Sequence, residues 1–149
     1  MKKQALKIFT TVSLLTTLVV ASVYANPDGR IWVNIPFAFT VGEKTLPAGQ
    51  YTIEHNPVIR GSLIVRSADC RASVTGLTMN VYSQTIQTQA KLVFHRYGNQ
   101  YFLAQAWRSG LDVGEEFPKS RAERKAAKGA SDRLAKTDAK PEVVYIAGQ

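Results

Sequence analysis

From Arg30 to Arg108 apolar residues return at every second position, and that period decides the fold class. In "RIWVNIPFAF", Ile31, Val33 and Ile35 alternate against Trp32 and Asn34. Pro36 has no N–H to give a ladder, so it predicts an edge strand or a bend between two strands. Phe37, Phe39 and Val41 resume the alternation. In "QYTIEH", Tyr51, Ile53 and His55 fall on one face, Thr52 and Glu54 on the other, and Asn56-Pro57 ends the run. Further strands are predicted over Ser62–Ser67, Ala72–Ser83 and Ala90–Arg96. Within Ala72–Ser83, Val74 lies on one face while Leu77, Met79 and Val81 lie on the other. A phase change beside Gly76 predicts a β-bulge that curves the sheet.

Turn chemistry joins these strands. In Leu46-Pro47-Ala48-Gly49 the proline pre-sets φ and the glycine accepts the left-handed exit. A polar loop is therefore expected between Phe37–Val41 and Tyr51–His55. Gly98-Asn99 joins "KLVFHRY" to "QYFLAQAW" as a tight hairpin, with Arg96 opposite Tyr101 and Phe94 opposite Leu103. Both faces of that hairpin carry large apolar groups, which places it centrally, covered on two sides. Beyond Gly114 the chain becomes rich in Ala, Lys and Arg. Ser120-Arg-Ala-Glu123 reads as a capping box, with the glutamate reaching back to the cap, and opens a basic helix at about 119–137. Gly129 weakens that helix, Leu134 is its only large apolar residue, and Pro141 stops it. "EVVYIA", Glu142–Ala147, returns as a last strand. The fold expected is mainly β: a single antiparallel β-barrel or sandwich of about seven strands with one C-terminal helix.

The first 25 residues stand apart. Lys2, Lys3 and Lys7 precede an apolar stretch, Ile8–Val20, and "ASVYA" sets Val23 and Ala25 where a signal peptidase reads small residues. Thr and Ser interrupt the stretch, which is shorter than the roughly 20 apolar residues of a spanning helix. The expectation is a signal peptide over 1–25, cleaved after Ala25, and one β-rich domain over 26–149. The protein would be exported, to the periplasm, the cell surface or the medium. Cleavage lowers the net charge from +8 to +5. Pro118–Pro141 alone carries eight Lys or Arg against three acids, so the excess belongs to a tail and not to the whole domain. The single cysteine, Cys70, excludes an internal disulfide, and the core alone must stabilise the fold. Cys70 itself reads as a buried or half-exposed small residue.

Sites of chemistry are sparse. His55 and His95 are the only histidines, and no HxxxH, HxH or CxxC spacing exists, so neither a metal nor a cofactor is expected. There is no G-x-S-x-G elbow. A Cys70–His pair lacks a third group, although Arg71 would lower the thiol pKa. Glu115-Glu116 are expected to precede the helix and favour its positive end, and Glu54 to face solvent. Tyr97, Tyr101 and Trp107, if exposed in a row, would stack on sugar rings or grip a peptide, but burial is the commoner fate of such groups. Arg121, Arg124, Lys125 and Lys128 would meet an anionic partner. No aromatic residue interleaves with these charges for base stacking, which disfavours nucleic acid. Insertion into a bilayer needs bulky apolar residues that this helix lacks.

The stretches "VNIPFAFTVGEKTLPAGQYTI", "LVFHRYGNQYFLAQAW" and "FPKSRAERKAA" resemble a group of small exported bacterial proteins, commonest in acidobacterial genomes. The resemblance runs over nearly the whole chain beyond residue 25. L-P-A-G-x-Y also occurs in several unrelated extracellular β-sandwich modules. It implies an exported β-rich domain and carries over no catalytic or binding residue.

The function expected is an exported, non-catalytic binding or structural module of the cell envelope, without a transmembrane segment after cleavage. Its partner would be an envelope component such as anionic lipid or polysaccharide. Gly42–Gly49, Asn56–Gly61 and Ser109–Phe117 are the loops such a partner would meet. One alternative is a small envelope hydrolase, which needs His55, His95, Glu54 or Cys70 to converge in one cleft. A second is a nucleic-acid or acidic-polymer binder acting through the basic helix.

Overall fold

The computed structural model describes residues 29–133 and 141–148. The expected signal segment, with Ala25, and residues 134–140 of the expected helical region lie outside the described residues. Among those described there are eleven strands and one helix. Four strands form one antiparallel sheet: β1 (Ile31–Ile35), β4 (Gly49–His55), β5 (Ser62–Ser67) and β6 (Ser73–Leu77), in the order β1-β4-β5-β6. A second sheet runs β11-β8-β9-β10-β7, from β7 (Met79–Tyr82), β8 (Lys91–Tyr97), β9 (Gln100–Trp107), β10 (Val113–Glu116) and β11 (Glu142–Ala147). A short hairpin, β2 (Phe39–Val41) with β3 (Lys44–Leu46), attaches to β9 through one parallel bridge, Thr40 opposite Phe102. The helix α1 spans Arg121–Arg133. The protein is mainly β with two sheets. The single closed barrel is not what forms.

Period-two alternation explains the inner faces. Ile31, Val33 and Ile35 are buried while Trp32 and Asn34 are exposed. Tyr51 and Ile53 of β4 and Leu63 and Val65 of β5 join them from the same sheet, and Leu92, Phe94, Leu103 and Ala106 from the other. All belong to one apolar cluster between the sheets. At its centre Phe39 packs edge-on against Tyr51 at 5.0 Å and against Phe94 at 5.6 Å. Each such pair contributes about 0.5–1.5 kcal/mol beyond its buried area.

The predicted hairpin register is present, Phe94 opposite Leu103 and Arg96 opposite Tyr101. It is central, with β11 on one side and β10 on the other. Ala104 is passed over between Val93–Gln105 and Phe94–Leu103, a bulge that turns Leu103 and Ala106 to the same face. The predicted strand Ala72–Ser83 breaks in two. β6 pairs with β5, β7 pairs with β10, and the chain changes sheets at Thr78, whose N–H donates to Gly61 O at 2.7 Å. The phase change near Gly76 therefore marks a change of sheet, not a bulge within one.

The strand count exceeds the expected seven because several short elements look like loops in one dimension. Gly42–Gly49 contains β3, and Ser109–Phe117 contains β10. Glu115 and Glu116 precede the helix as expected but are ladder residues of β10, and the first N–H groups of the helix go to Glu43 and Ser120 instead. Glu54 does not simply face solvent: Arg30 Nε lies 2.7 Å and Arg66 Nη1 3.7 Å from its carboxylate. Cys70 is neither buried nor half-buried but exposed, at the corner of a turn and with φ at 59°.

Candidate functional site

Helix α1 starts as its sequence demands, with one change. Ser120 Oγ accepts the N–H of Glu123 at 3.0 Å, the expected cap. Glu43, in the β2–β3 turn, accepts the N–H of Arg121 at 2.8 Å. The Glu123 carboxylate does not reach back to the cap. It turns onto β8, where Oε1 lies 2.7 Å from His95 Nδ1 and accepts a bond from Tyr97 Oη at 3.3 Å. Glu123 is 3% exposed. A buried carboxylate needs such partners, since an unpaired one costs several kcal/mol, on the order of 3–5. Burial first, then the charge and hydrogen bond of Glu123, push the Tyr97 phenol up to about 12.

This contact orients the rest of the helix. With Glu123 facing the sheet and Ala122, Ala126, Ala127 and Ala130 half-buried, Arg121, Arg124, Lys125 and Lys128 are all exposed. The Arg124 guanidinium also donates to Lys119 O at 3.0 Å. Since Glu123 is turned inward, the one acid in the first turn is withdrawn from the cationic face.

The aromatic residues behave differently. Tyr97 and Trp107 are each only 6% exposed, so they belong to the packed interior and offer nothing to a sugar or peptide. Tyr97 lies against Phe102 at 5.9 Å, and Trp107 Nε1 donates to Gln105. Tyr101 is half-buried, stacked on Phe37 with centroids 3.9 Å apart and with Arg96 over its ring at 5.5 Å. The exposed aromatic row does not exist.

A second ionic cluster joins the two sheets. Glu115 Oε1 lies 3.1 Å from Arg108 Nη1 and 3.0 Å from His55 Nε2. Arg108 Nε donates to Gly29 O at 2.8 Å. Glu115 Oε2 and Arg108 Nη2 are buried without a protein partner. Burial, and then the Arg108 charge, hold the His55 imidazole below its usual value against the opposing pull of Glu115.

The groups that a hydrolase would need to assemble are thus engaged separately: His55 with Glu115, His95 with Glu123, and Glu54 with Arg30 and Arg66. Cys70 sits in a turn fixed by Ser67 and Asp69, whose hydroxyl and carboxylate meet at 2.6 Å. That Ser67 bond, then the Arg71 N–H, hold the Asp69 carboxyl below its usual range. Between this turn and Pro47–Tyr51 lies an open depression of about 420 Å³. Tyr51 forms its wall and donates to Pro47 O at 2.7 Å, so the L-P-A-G-x-Y segment is a corner tied by its own tyrosine. Among the described residues, no group of three or more His, Cys, Asp or Glu is placed to hold a metal ion.

Glu123, Glu115 and Arg108 were the residues that sequence reasoning missed as partners of the histidines. The available signal was slight: His95 and Tyr97 share a strand face, and Glu123 occupies the third helical position. Neither a family model, nor a curated protein, nor a solved structure matches this chain.

Proposed function

We propose that the protein is an exported, non-catalytic binding module of the cell envelope, a sandwich-like scaffold that presents α1 to an anionic envelope polymer. One observation carries this reading: four cations, Arg121, Arg124, Lys125 and Lys128, are exposed on one helix while its first-turn acid is buried against the sheet. Such a face attracts polyanions by charge, with an affinity that falls as salt rises. Acidic polysaccharide suits it better than nucleic acid, since no aromatic residue accompanies the cations to stack on bases. The half-buried alanines leave no bulky apolar side for the described part of the helix to insert into lipid.

The test is capture of acidic polysaccharide from envelope fractions by the full chain and by a variant with these four residues changed to Ser. Ser120 and Glu123 stay in place, so the helix remains docked. Salt-sensitive capture that is lost in the variant supports the reading. Equal capture by both proteins overturns it.

A further inference from the structure

We infer that the outer edge of β7 is a pairing edge for a second copy of this chain, joined β7 to β7 across a two-fold axis at Val81. The inference concerns a different part of the molecule from α1 and does not depend on what the helix binds.

Hydrogen-bond parity sets out what this edge offers. Ser83 N–H donates to Asp112 O at 2.7 Å, and in the same register Val81 lies opposite Gly114 and Met79 opposite Glu116. Backbone groups alternate sides along a strand, so Val81 and Met79 turn theirs to β10 as Ser83 does. Those of Asn80 and Tyr82 point away from the sheet, and among the described residues they have no protein partner. The strand is also uncovered, with Met79 59% and Tyr82 73% exposed.

The other sheet edges are guarded. Ser67 N–H donates to Ala72 O, so the next carbonyl, of Ser73, lies on the free edge of β6, where Lys44 Nζ donates to it at 3.1 Å. At the other ends of the two sheets β1 and β11 close on each other: a β-carbon at Gly148, just past β11, would stand 2.6 Å from Ile31 Cγ2. Proteins protect exposed edges with lysine, proline or a covering segment. β7 has none of these, and neither a charged residue nor a proline occurs between Arg71 and Lys91.

A second β7 answers this edge in one antiparallel register. With Asn80 opposite Tyr82 of the second copy, each residue exchanges both of its backbone bonds, and every outward N–H and C=O of the two strands is satisfied. Val81 then meets Val81 at the axis, as an isologous contact requires. Charge favours this occupant. The chain carries +8 and repels itself elsewhere, but Val81 on Val81, Met79 on Ser83 and Asn80 on Tyr82 are all neutral contacts. The paired edge is four residues long, so the dimer is reversible and dissociates on dilution.

The full chain also carries the apolar stretch Ile8–Val20, so the measurement must be local. Val81→Cys and, as a control on β11, Tyr145→Cys are each placed in a Cys70→Ser background. Under mild oxidation the thiol at 81 should cross-link on the order of tenfold faster than the one at 145, because pairing holds the two copies' thiols at high effective concentration. In the unaltered chain, amide exchange at Asn80 and Tyr82 should slow as protein concentration rises, and at Val143 and Tyr145, which face outward from β11, it should not. Asn80→Pro removes an outward N–H, leaves the β10 ladder intact and should weaken pairing on the order of tenfold or more. Tyr82→Lys keeps every N–H and should slow cross-linking at 81 by setting a cation on each side of the axis. Equal cross-linking at 81 and 145 overturns the inference. So does exchange at Asn80 and Tyr82 that ignores concentration, or undiminished cross-linking at 81 in both edge variants. The variant with four serines on the helix should keep the cross-link, so failure of the helix reading and failure of this one are told apart.

Discussion

Glu123 Oε1 and His95 Nδ1 stand 2.7 Å apart and bind the helix to β8 across 28 residues of sequence. A 13-residue helix is marginal on its own, and apart from Glu123 the side chains this one turns toward the sheet are small alanines. Its position must come from tertiary contacts. The carboxylate, the imidazole and the Tyr97 hydroxyl form the polar part of that attachment, and the outward display of Arg121, Arg124, Lys125 and Lys128 follows from it.

Glu123→Ala should therefore cost about 2–4 kcal/mol, because it strands a half-buried imidazole and a buried hydroxyl together. Glu123→Gln keeps a carbonyl acceptor for both and should cost less, about 1–2 kcal/mol. Amide hydrogen exchange separates this from a general loss of stability. Amides of α1 should exchange faster in Glu123→Ala while those of β4 and β5 keep their protection. Uniform acceleration through both sheets would show that Glu123 is not a local latch.

Much of the fold is legible in the sequence where the deciding interactions are local. The Gly98-Asn99 turn fixes the register of β8 and β9, and alternation fixes the buried faces of β1 and β4. The serine cap of α1 is local too. What could not be read depends on contacts distant in sequence. Nothing near Thr78 says that the strand must leave one sheet for another, since both halves alternate well by themselves. Val113–Glu116 has one apolar residue in four and becomes a strand only because β9 and β7 flank it. The candidate sites divide the same way. Exposure of the helical cations follows from helical period, whereas the pairing of each histidine with a glutamate on another element has no local signature.

His55 gives a pH dependence with a definite sign. Its folded pKa lies below the usual 6.5, so the unfolded chain binds more protons in the interval between the two values. The contribution of His55 to stability is complete above the usual imidazole value and is lost as pH falls from there through the folded value. Proton NMR of the His55 ring should show the depressed midpoint directly. Arg108→Gln should raise it, by removing a like charge, and Glu115→Gln should lower it further. Shifts of the same sign in the two variants would contradict this electrostatic account.

Cys70 is the one residue other than glycine with positive φ among those described, at 59°. A β-carbon there costs about 1 kcal/mol, and the thiol is exposed, so no core contact offsets it. The turn is held by others, through Cys70 N–H to Ser67 O and Ser67 N–H to Ala72 O. Cys70→Asn should stabilise the protein by about 0.5–1 kcal/mol, since asparagine tolerates this conformation with little loss of unfolded-state entropy. Urea denaturation would show a higher midpoint at an unchanged slope. A lower midpoint would mean that the thiol has a structural partner after all.

Gly76 should behave in the opposite way. Its φ is not positive, so alanine is allowed by the backbone and would ordinarily strengthen a strand. Yet a β-carbon at this position would stand 2.6 Å from Phe117 Cε1 and 2.9 Å from Cδ1. Phe117 has little freedom to withdraw: its N–H donates to Ala104 O at 2.8 Å, and its ring belongs to the apolar cluster between the sheets. Gly76→Ala should therefore destabilise by about 1–3 kcal/mol, as overpacking does. Phe117→Leu creates room at the same point and loses packing of its own. In the double variant the alanine should cost less than it does alone, with a coupling of about 1 kcal/mol or more in a double-mutant cycle. Additive losses would remove Phe117 as the reason that β6, just before the chain changes sheets, carries a glycine.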